Sequence, residues 1–448
     1  MGQRAVRFVL ACVMVTATAL GLVMLTRYIQ AAKRRARYAP TEEDGTVVAT
    51  IPAFDGLWAT SGTREEADSR TERPGIVSAG DIGRRQRVTA TAIPPMITPR
   101  PLSGLTVIVP AYDEAASIAD TIRSLRAQTL PAEQIIVVDD CSTDGTGAIA
   151  RACGVTVVAP PANTGSKAGA QNYALGLVET EFTMAVDADT ALAPDGIEHL
   201  LGALAAPGVV AACGFVVPRH VRTLWERGRY IEYRFAFTFY KPIQDYYGKP
   251  LIASGCFSVY RTAALRANGG WSTRTLAEDM DLTWSFYGAG HGVRFVPDAV
   301  CYPIEPHNFR LMGKQLRRWS HGFVQNVQLH WRGLLTIPFL RSTVAVALWD
   351  ATFASFAYLI LLPLLALRFG PAFLLGYIID TPVLLVPLLF GALTQPLGGL
   401  SRAAEMRRVL ASLPAFWVLR LVNAVFFIEA LVTELILRRP FRTYEKGH

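Results

Sequence analysis

The sequence predicts an α/β protein with a mostly parallel sheet, flanked by transmembrane helices. Short β-branched runs alternate with helical patterns in the middle of the chain, as in LTVIVPAY at 105–112, IIVVDD at 135–140 and VTVVAP at 155–160. Such alternation indicates βαβ units with helices on both faces of the sheet. Apolar stretches long enough to cross a bilayer lie on either side of this region. The hydrophobic share of the 448 residues, 51%, also fits a membrane protein.

The first element is an N-terminal apolar stretch from Val6 to Ile29, which has no charge between Arg7 and Arg27. It can cross a hydrocarbon core of about 30 Å. A cleaved signal peptide is the alternative, but the run exceeds the roughly 7–15 apolar residues of such a signal. A basic cluster follows it instead of a small-residue cleavage site: Lys33, Arg34, Arg35 and Arg37. We therefore expect an uncleaved anchor over residues 1–30, and the positive-inside rule places the residues after it in the cytosol.

Composition divides the rest of the chain into segments. The residues after the anchor are rich in Thr, Glu, Arg, Pro and Gly and predict a cytosolic linker of low structural content. The predicted segments are this linker at 31–103, the α/β domain at 104–330, an interfacial helix at 331–342, transmembrane or interfacial helices at 343–437 and a basic tail at 438–448. Within 343–437 the apolar spans lie near 343–367, 372–393 and 414–437.

The last of these spans contains Arg420, Glu429 and Glu434, which must face protein or water if it crosses the bilayer. The alternative is a helix that lies along the interface. Four crossings would leave the C-terminus outside, whereas the basic tail favours the cytosolic side. The sequence leaves the number of crossings open.

Composition also argues against other classes of protein. The net charge of +8 does not indicate nucleic-acid binding, because much of the excess lies beside apolar segments, where it faces anionic lipid. The six cysteines form no CxxC pair, which fits a reducing compartment. A channel or transporter fits poorly, since the largest ordered region is the soluble domain.

Polar residues that follow strands are the candidate functional residues, because open parallel sheets bind ligands at the carboxyl ends of their strands. The first two strand ends carry Pro110-Ala111-Tyr112-Asp113-Glu114 and Asp139-Asp140. Asp also caps helices and makes turns, and this structural role is our interpretation of Asp144-Gly145. For Asp139 and Asp140 we expect contact with a ligand.

A third strand ends in Asp187-Ala188-Asp189. Two carboxylates with one residue between them at a strand tip can approach one hard cation, and they supply the oxygen ligands that Mg²⁺ or Mn²⁺ shares with substrate phosphates. Asp-x-Asp is common in surface loops, but its place after an apolar strand favours metal binding.

Two further segments carry charge. Lys167 lies among small residues at 163–172 and offers a point charge to a phosphate, without the spacing of a P-loop. A solvated loop lysine is the alternative. Glu278, Asp279 and Asp281 lie within four residues and would repel one another without a positive neighbour or a bound proton. The helix N-terminus accounts for Asp281, whereas Asp279 is the candidate general base.

A motif near the end of the α/β domain places Gln315, Arg318 and Trp319 on one helix face, at i, i+3 and i+4. The guanidinium can clamp a diphosphate, and the indole offers a flat wall to a sugar ring. A basic interfacial helix with an aromatic anchor is the alternative.

In this order the motifs resemble those of the membrane-bound family 2 glycosyltransferases, in particular the poly-N-acetylglucosamine, chitin-oligosaccharide, hyaluronan and cellulose synthases. The resemblance covers about residues 104–330 and implies a GT-A (nucleotide-diphospho-sugar transferase) fold. It implies substrate binding at Pro110, Ala111, Tyr112, Glu114, Asp139, Asp140, Lys167, Asp187, Gln315, Arg318 and Trp319. It also implies a Mg²⁺ or Mn²⁺ cofactor on Asp187 and Asp189, and catalysis by Asp279 as base beside Glu278.

The chain departs from the family pattern in two places. Ala277 precedes Glu278-Asp279 where threonine or serine is familiar, and the loop reads Gly165-Ser166-Lys167 where Gly-Lys is commoner. Neither departure removes a charge that the mechanism needs.

The resemblance implies an inverting, multi-pass plasma-membrane enzyme with a cytosolic catalytic domain. It would take a sugar from a UDP-sugar, with UDP-N-acetylglucosamine as the expected donor, and add it to a growing polysaccharide, processively. Transfer of one sugar to a polyprenyl phosphate or other lipid is an alternative. A non-catalytic sugar-nucleotide-binding membrane subunit is an alternative of another class, which the presence of every candidate ligand and the base disfavours.

Overall fold

The computed structural model of the protein describes residues 48–50, 58–60, 103–378, 381–394 and 400–442. The chain divides into two compact units, of which the smaller is Ala32–Pro101. In the smaller unit, strand β1 (Val48–Thr50) pairs antiparallel with β2 (Trp58–Thr60). The predicted N-terminal anchor, most of the predicted linker and the end of the basic tail lie outside the described residues.

The larger unit is built on an eight-stranded sheet in the order β5-β4-β3-β6-β9-β8-β10-β7. All pairs are parallel except those that β9 makes with β6 and β8 and the pair of β7 with β10. This confirms the prediction of an α/β fold with a mostly parallel sheet. The strands are β3 Leu105–Ala111, β4 Gln134–Asp139, β5 Thr156–Val158, β6 Phe182–Val186, β7 Ala191–Leu192, β8 Val209–Val216, β9 Phe257–Arg261 and β10 Gly292–Tyr302.

Among the described residues, eight helices lie beside the sheet, and the helices that follow them in the chain lie beyond it. The helices beside the sheet are α1 Ile118–Arg126, α2 Thr146–Ala152, α3 Lys167–Leu175, α4 Gly196–Ala203, α5 Leu224–Phe235, α6 Lys241–Tyr246, α7 Thr262–Ala267 and α8 Glu278–Gly288. The central strands are apolar in sequence and lie in the core, where Val107, Val137 and Met184 are fully buried. Burial of both faces explains why these strands read as continuous apolar runs.

The antiparallel direction of strand β9 brings the turn before it to the end of β6. Val186 at the end of β6 pairs with Phe257 at the start of β9. The turn before β9 therefore lies at the same sheet edge as the residues that follow β6, and the backbone N–H of Asp187 donates to the Cys256 carbonyl at 3.4 Å.

A long helix, α9 (Phe309–Thr336), connects the sheet to the apolar C-terminal region and runs without a break through the predicted boundary at residue 330. The apolar helices that follow are α10 Pro338–Phe356, α11 Leu362–Phe369, α12 Thr381–Thr394 and α13 Arg402–Leu431. Within the described part of the chain, two continuous helical stretches are long and apolar enough to cross a bilayer, Phe339–Phe369 and Arg402–Ile436.

The candidate span near 372–393 falls on two helical segments, and residues 379–380 between them lie outside the described residues. Gly370 adopts a φ of +113° and ends α11, and a short 3₁₀ helix, Pro371–Ile378, precedes α12. Within the described residues, helix α12 has 14 residues, or about 21 Å at 1.5 Å per residue, and these residues alone do not span a hydrocarbon core of about 30 Å. Gly370 and Pro371 lie between the candidate spans 343–367 and 372–393, so the break falls where the sequence already indicates a boundary.

The charged residues of α13 and the turn after it have protein partners, as expected for polar groups in an apolar helix. Glu429 lies 3.1 Å from the Arg317 guanidinium, and Glu434 lies 2.7 Å from His321 Nδ1. Glu405 is fully buried and accepts a hydrogen bond from the Tyr230 hydroxyl at 2.5 Å. These contacts fasten α13 to α9 and α5.

The packing between β8 and its neighbours gives a test of the fold. A Cβ on Gly214 would overlap the Phe257 ring and lie 2.5 Å from the Ala299 carbonyl oxygen. We expect Gly214→Ala to lower the free energy of unfolding by about 1–3 kcal/mol, because the overpacked strand must shift. Thermal unfolding of the detergent-solubilised protein measures the effect. Gly202→Ala is the control: nothing lies within 4 Å of the added methyl on α4, so an equal loss in both variants would contradict this account.

Candidate active site

The carboxyl ends of β3 and β4 lie side by side and are tied together by their loops. The Asp140 N–H donates to the Ala111 carbonyl at 2.9 Å. Asp113 donates its N–H to Ser142 Oγ at 3.0 Å and accepts from the Thr143 N–H at 2.7 Å. Asp113 has a φ of +52°, which is uncommon for a residue with a side chain and marks local strain at this edge. The cross-tied loops form a rigid rim.

The predicted nucleoside-binding residues take different positions in this rim. Pro110 and Ala111 are the last residues of β3, and the next side chain, Tyr112, is 43% exposed. Glu114 is buried and accepts a hydrogen bond from Ser117 Oγ at 2.8 Å. Tyr112 is therefore presented to a ligand at the surface, whereas Glu114 contributes to the turn into α1.

Asp139 and Asp140 also differ. Asp140 is buried and accepts two hydrogen bonds from Thr164, from its N–H and its hydroxyl, each at 2.8 Å. It thus holds the loop that leads to Lys167 against β4. Asp139 is half-buried and accepts from the Ser142 N–H at 3.1 Å.

Lys167 is the centre of the charged part of the site. It is the first residue of α3, which Ser166 caps by accepting from the Gly169 N–H at 3.1 Å. Its ammonium pairs with Asp187, lies 3.9 Å from Glu278 Oε1 and donates to the Gly255 carbonyl at 3.0 Å.

Asp279 joins this cluster through the same turn. The N–H of Gly255 donates to Asp279 Oδ2 at 2.9 Å, so one peptide segment before β9 contacts both the lysine and the candidate base. The structure therefore brings Lys167 and Asp187 together with the adjacent pair Glu278 and Asp279, about 90 or more residues further along the chain.

The three acids of α8 have distinct environments. The pKa of Glu278 is raised, because burial and the neighbouring Asp279 charge outweigh the favourable effects of Lys167 and Arg318. The pKa of Asp281 is lowered to about 2: burial opposes its ionisation, but hydrogen bonds from His330 and Arg274 outweigh that effect. Those partners lie at 2.6–2.8 Å. Asp281 thus has a structural role, as the sequence analysis expected. Its charge is stabilised by specific contacts with Arg274 and His330 and not only by the helix N-terminus.

The residues proposed for a metal lie at the end of β6. Asp187 is half-buried beside Lys167, and Asp189 is buried with Thr190 Oγ1 donating to it at 2.9 Å. Within the described ranges, no group of three or more His, Cys, Asp or Glu side chains is arranged to hold a metal ion. Two carboxylates nevertheless fit Mg²⁺ or Mn²⁺, since such ions commonly complete their shells with water and substrate phosphates.

Helix α9 packs against the loop that precedes Glu278 and Asp279. The Asn326 side chain donates to the Ala277 carbonyl at 3.1 Å, and the Leu276 N–H donates to Gln325 Oε1 at 3.0 Å. A Cβ on Gly322 would lie 2.7 Å from Ala277 Cβ, so helix and loop are in close contact. The same helix carries Gln315, Arg318 and Trp319, and Arg318 is near enough to Glu278 to favour its charged form.

Sequence reasoning missed the residues that hold these groups in place. Gly255 is one, because a glycine in a turn carries no chemical signal of its own. Arg229 of α5 is another: it is fully buried and contacts Gln315 and Trp319. An arginine within a helix ordinarily indicates an exposed face, so nothing local distinguishes it.

The raised pKa of Glu278 leads to a test of the site's electrostatics. Well below its ordinary pKa of 4.5, the group is protonated in the folded and the unfolded chain alike. As the pH rises from there to the raised pKa, the unfolded chain ionises first and the folded state becomes progressively disfavoured. We expect Glu278→Gln to raise the Tm of the ligand-free protein at pH 8, and the increase to shrink as the pH falls toward 4.5. Glu198→Gln, on the exposed face of α4, is the control. A Tm difference independent of pH would contradict this assignment.

Comparison with known proteins relates part of the chain to a family. The Glycosyl transferase family 2 profile matches residues 106–269. A UPF0150-like profile matches residues 27–71, most of which lie outside the described residues.

Among curated proteins, the chain is 26% identical over 226 residues to a poly-β-1,6-N-acetyl-D-glucosamine synthase of Staphylococcus epidermidis, covering 49% of this chain and 55% of that protein. The synthase of Staphylococcus aureus strain COL matches with the same identity and coverage. The chain thus spans about half the length of the curated relatives that it matches.

Among solved structures, the mannosyltransferase PcManGT from Pyrobaculum calidifontis, in complex with GDP-Man and Mn²⁺, superposes with a TM-score of 0.52. The two sequences are 21% identical, and the superposition covers 96% of this chain and 99% of that one. It establishes the shared GT-A-like fold. Residues 106–269 thus carry a glycosyl transferase family 2 domain, and the chain resembles the poly-β-1,6-N-acetyl-D-glucosamine synthases.

Proposed function

We propose that this protein transfers a sugar from a UDP-sugar, with inversion, to a growing polysaccharide, and that it does so processively. The observation that carries the proposal is the cluster of Lys167, Asp187, Glu278 and Asp279 at the carboxyl edge of the sheet. The names of the curated relatives favour UDP-N-acetylglucosamine as the donor. The rim at the ends of β3 and β4, with Tyr112 exposed, is the proposed nucleoside site.

In the proposed reaction, Asp279 takes the proton of the acceptor hydroxyl. The hydroxyl oxygen attacks the anomeric carbon, and the bond from that carbon to the diphosphate breaks. The Gly255 N–H holds the Asp279 carboxylate in position at 2.9 Å, and a positioned carboxylate can act as a general base. Arg318 and Lys167 stabilise the negative charge that develops on the leaving diphosphate.

A divalent cation on Asp187 and Asp189 would supply further positive charge to the diphosphate. In the ligand-free chain the positive charge beside Asp187 is the Lys167 ammonium. Because Lys167 also reaches Gly255 and Glu278, it can exchange one carboxylate partner for phosphate oxygens without losing every contact.

A second proposal within the same family is transfer of a single sugar to a lipid acceptor such as a polyprenyl phosphate. Such transfer needs few membrane spans, and the described residues contain two continuous helical stretches that are long and apolar enough to cross a bilayer. A non-catalytic sugar-nucleotide-binding subunit is disfavoured, because the candidate base and phosphate ligands are all in place.

For either acceptor, we propose that the protein is a plasma-membrane protein whose catalytic domain faces the cytosol. The exposed apolar side chains of the C-terminal helices, such as Trp349, Leu367 and Ile436, are suited to a lipid environment.

The donor and product are tested with detergent-solubilised protein and a panel of UDP-sugars. We expect UDP release with UDP-N-acetylglucosamine in the presence of Mg²⁺ or Mn²⁺, and loss of that release with chelator or in Asp187→Asn. A polymer ladder by mass spectrometry would support processive synthesis, whereas one glycolipid would support the second proposal. UDP binding without release in any combination would favour the non-catalytic subunit.

The role of Asp279 is tested with Asp279→Asn. Loss of the general base is expected to lower the rate of sugar transfer by about 10²- to 10⁴-fold, while UDP binding, measured by calorimetry, is retained. Asp298→Asn, a change at an exposed acid of β10, is the control and should transfer sugar at the wild-type rate. Full activity of Asp279→Asn would remove this residue from the role.

A further inference from the structure

We propose that Arg229 is a positioning residue for the acceptor end of the site. It holds Gln315 and Trp319 of α9 in one geometry, so that acceptor binding depends on a side chain that does not itself reach the substrate. This inference rests on the proposed function, in which the face of α9 with Gln315 and Trp319 receives the acceptor sugar.

The guanidinium of Arg229 makes two different contacts with that face. Its Nη2 donates to Gln315 Oε1 at 2.6 Å, and its Cζ lies 4.5 Å from the centroid of the Trp319 ring. A planar guanidinium can donate from its edge and stack with its face at the same time, which an ammonium cannot. Since Gln315 and Trp319 are one helical turn apart, a single Arg229 side chain fixes both.

Arg229 is itself held in place from several sides. It is 0% exposed, and its Nε lies 3.4 Å from Glu305 Oε2, an ion pair without the alignment of a hydrogen bond. Its Nη1 pairs with Glu232. The pKa of the guanidinium is raised although burial opposes its charge, because these carboxylates surround it.

The same network reaches the apolar C-terminal region. Glu232 also accepts a hydrogen bond from Asn423 of α13, at 3.5 Å. Arg229 therefore stands between α9, which carries the proposed acceptor face, and α13, which in the described part of the chain belongs to a helical stretch long and apolar enough to cross a bilayer. Buried ion pairs contribute little net stability compared with apolar packing, so this arrangement is better explained by the orientation that it imposes than by stabilisation.

The chain offers a matched control on the same helix. Arg234 also lies in α5 and is 1% exposed, but it pairs with Glu405 of α13 at 3.5 Å instead of with α9. Arg229→Lys and Arg234→Lys thus make the same chemical change, each in a buried ion pair, and they differ in whether Gln315 and Trp319 lose a partner.

The orientation of Trp319 is tested without reference to activity. The full-length protein is labelled with 5-fluorotryptophan in detergent, and Trp319→Phe assigns the ¹⁹F resonance. We expect Arg229→Lys to shift or broaden that resonance and Arg234→Lys to leave it in place. An unchanged resonance in Arg229→Lys, or the same change in both variants, would overturn the proposal. UDP binding serves as the check that each variant is folded. If Arg229→Lys does not bind UDP, Arg229→Gln is used in its place.

Kinetics test the consequence for the acceptor. With UDP-N-acetylglucosamine and a β-1,6-linked N-acetylglucosamine pentasaccharide, we expect Arg229→Lys to raise the KM for the pentasaccharide about tenfold, the order expected for a lost hydrogen bond to a charged group. The KM for the donor should stay within about twofold. In a background with both Gln315→Ala and Trp319→Ala the effect of Arg229→Lys should largely disappear, because the residue acts through these two side chains.

Two further outcomes distinguish a failure of the Arg229 proposal from a failure of the proposed acceptor face. Loss of acceptor affinity in Trp319→Ala with normal affinity in Arg229→Lys would overturn the role of Arg229 and leave the proposed function intact. No effect of Trp319→Ala on the acceptor would instead refute the acceptor face on α9, and the role of Arg229 with it.

Discussion

The site depends on one partly buried ammonium group, that of Lys167. Asp187 follows β6, whereas Glu278 and Asp279 begin α8. Carboxylates that meet in a partly buried place repel one another unless a cation lies among them. Lys167 pairs with Asp187, lies 3.9 Å from Glu278 and donates to the Gly255 carbonyl. The Gly255 N–H in turn holds Asp279. Removal of this charge would leave the carboxyl edge of the sheet without the interaction that keeps its acids together.

Helix α9 connects this chemistry to the apolar region of the protein. Its N-terminal half presents Gln315, Arg318 and Trp319, and the following turns contact the loop of Leu276 and Ala277. The short side chain of Ala277, where relatives are expected to carry threonine or serine, packs against Gly322 with almost no room between them. The alanine at this position therefore goes with close packing between α9 and the loop. The charged groups of the site are unchanged by it.

The C-terminal helices are joined to the catalytic unit by polar contacts as well as by apolar packing. Glu405 meets Tyr230, Glu429 meets Arg317, and Glu434 meets His321. The backbone N–H of Phe441 also donates to Glu434, and Gln325 of α9 donates to the Phe441 carbonyl at 2.9 Å. Because Gln325 accepts from Leu276 as well, the segment after α13 and the loop before the candidate base share one amide side chain.

The sequence by itself determined the sheet-forming runs, the order of the motifs and the charged residues at the strand ends, because alternation of apolar residues and strand-end chemistry are local properties. Only the tertiary structure decided that β9 runs antiparallel and that Arg229 is a buried partner of Gln315 and Trp319. It likewise gave Asp281 a structural ion pair and left Glu278 and Asp279 beside Lys167. These outcomes depend on contacts between residues that are far apart in the chain, such as Lys167 and Gly255. Such contacts are set by the packing free energy of the whole unit and leave no pattern in the residues on either side.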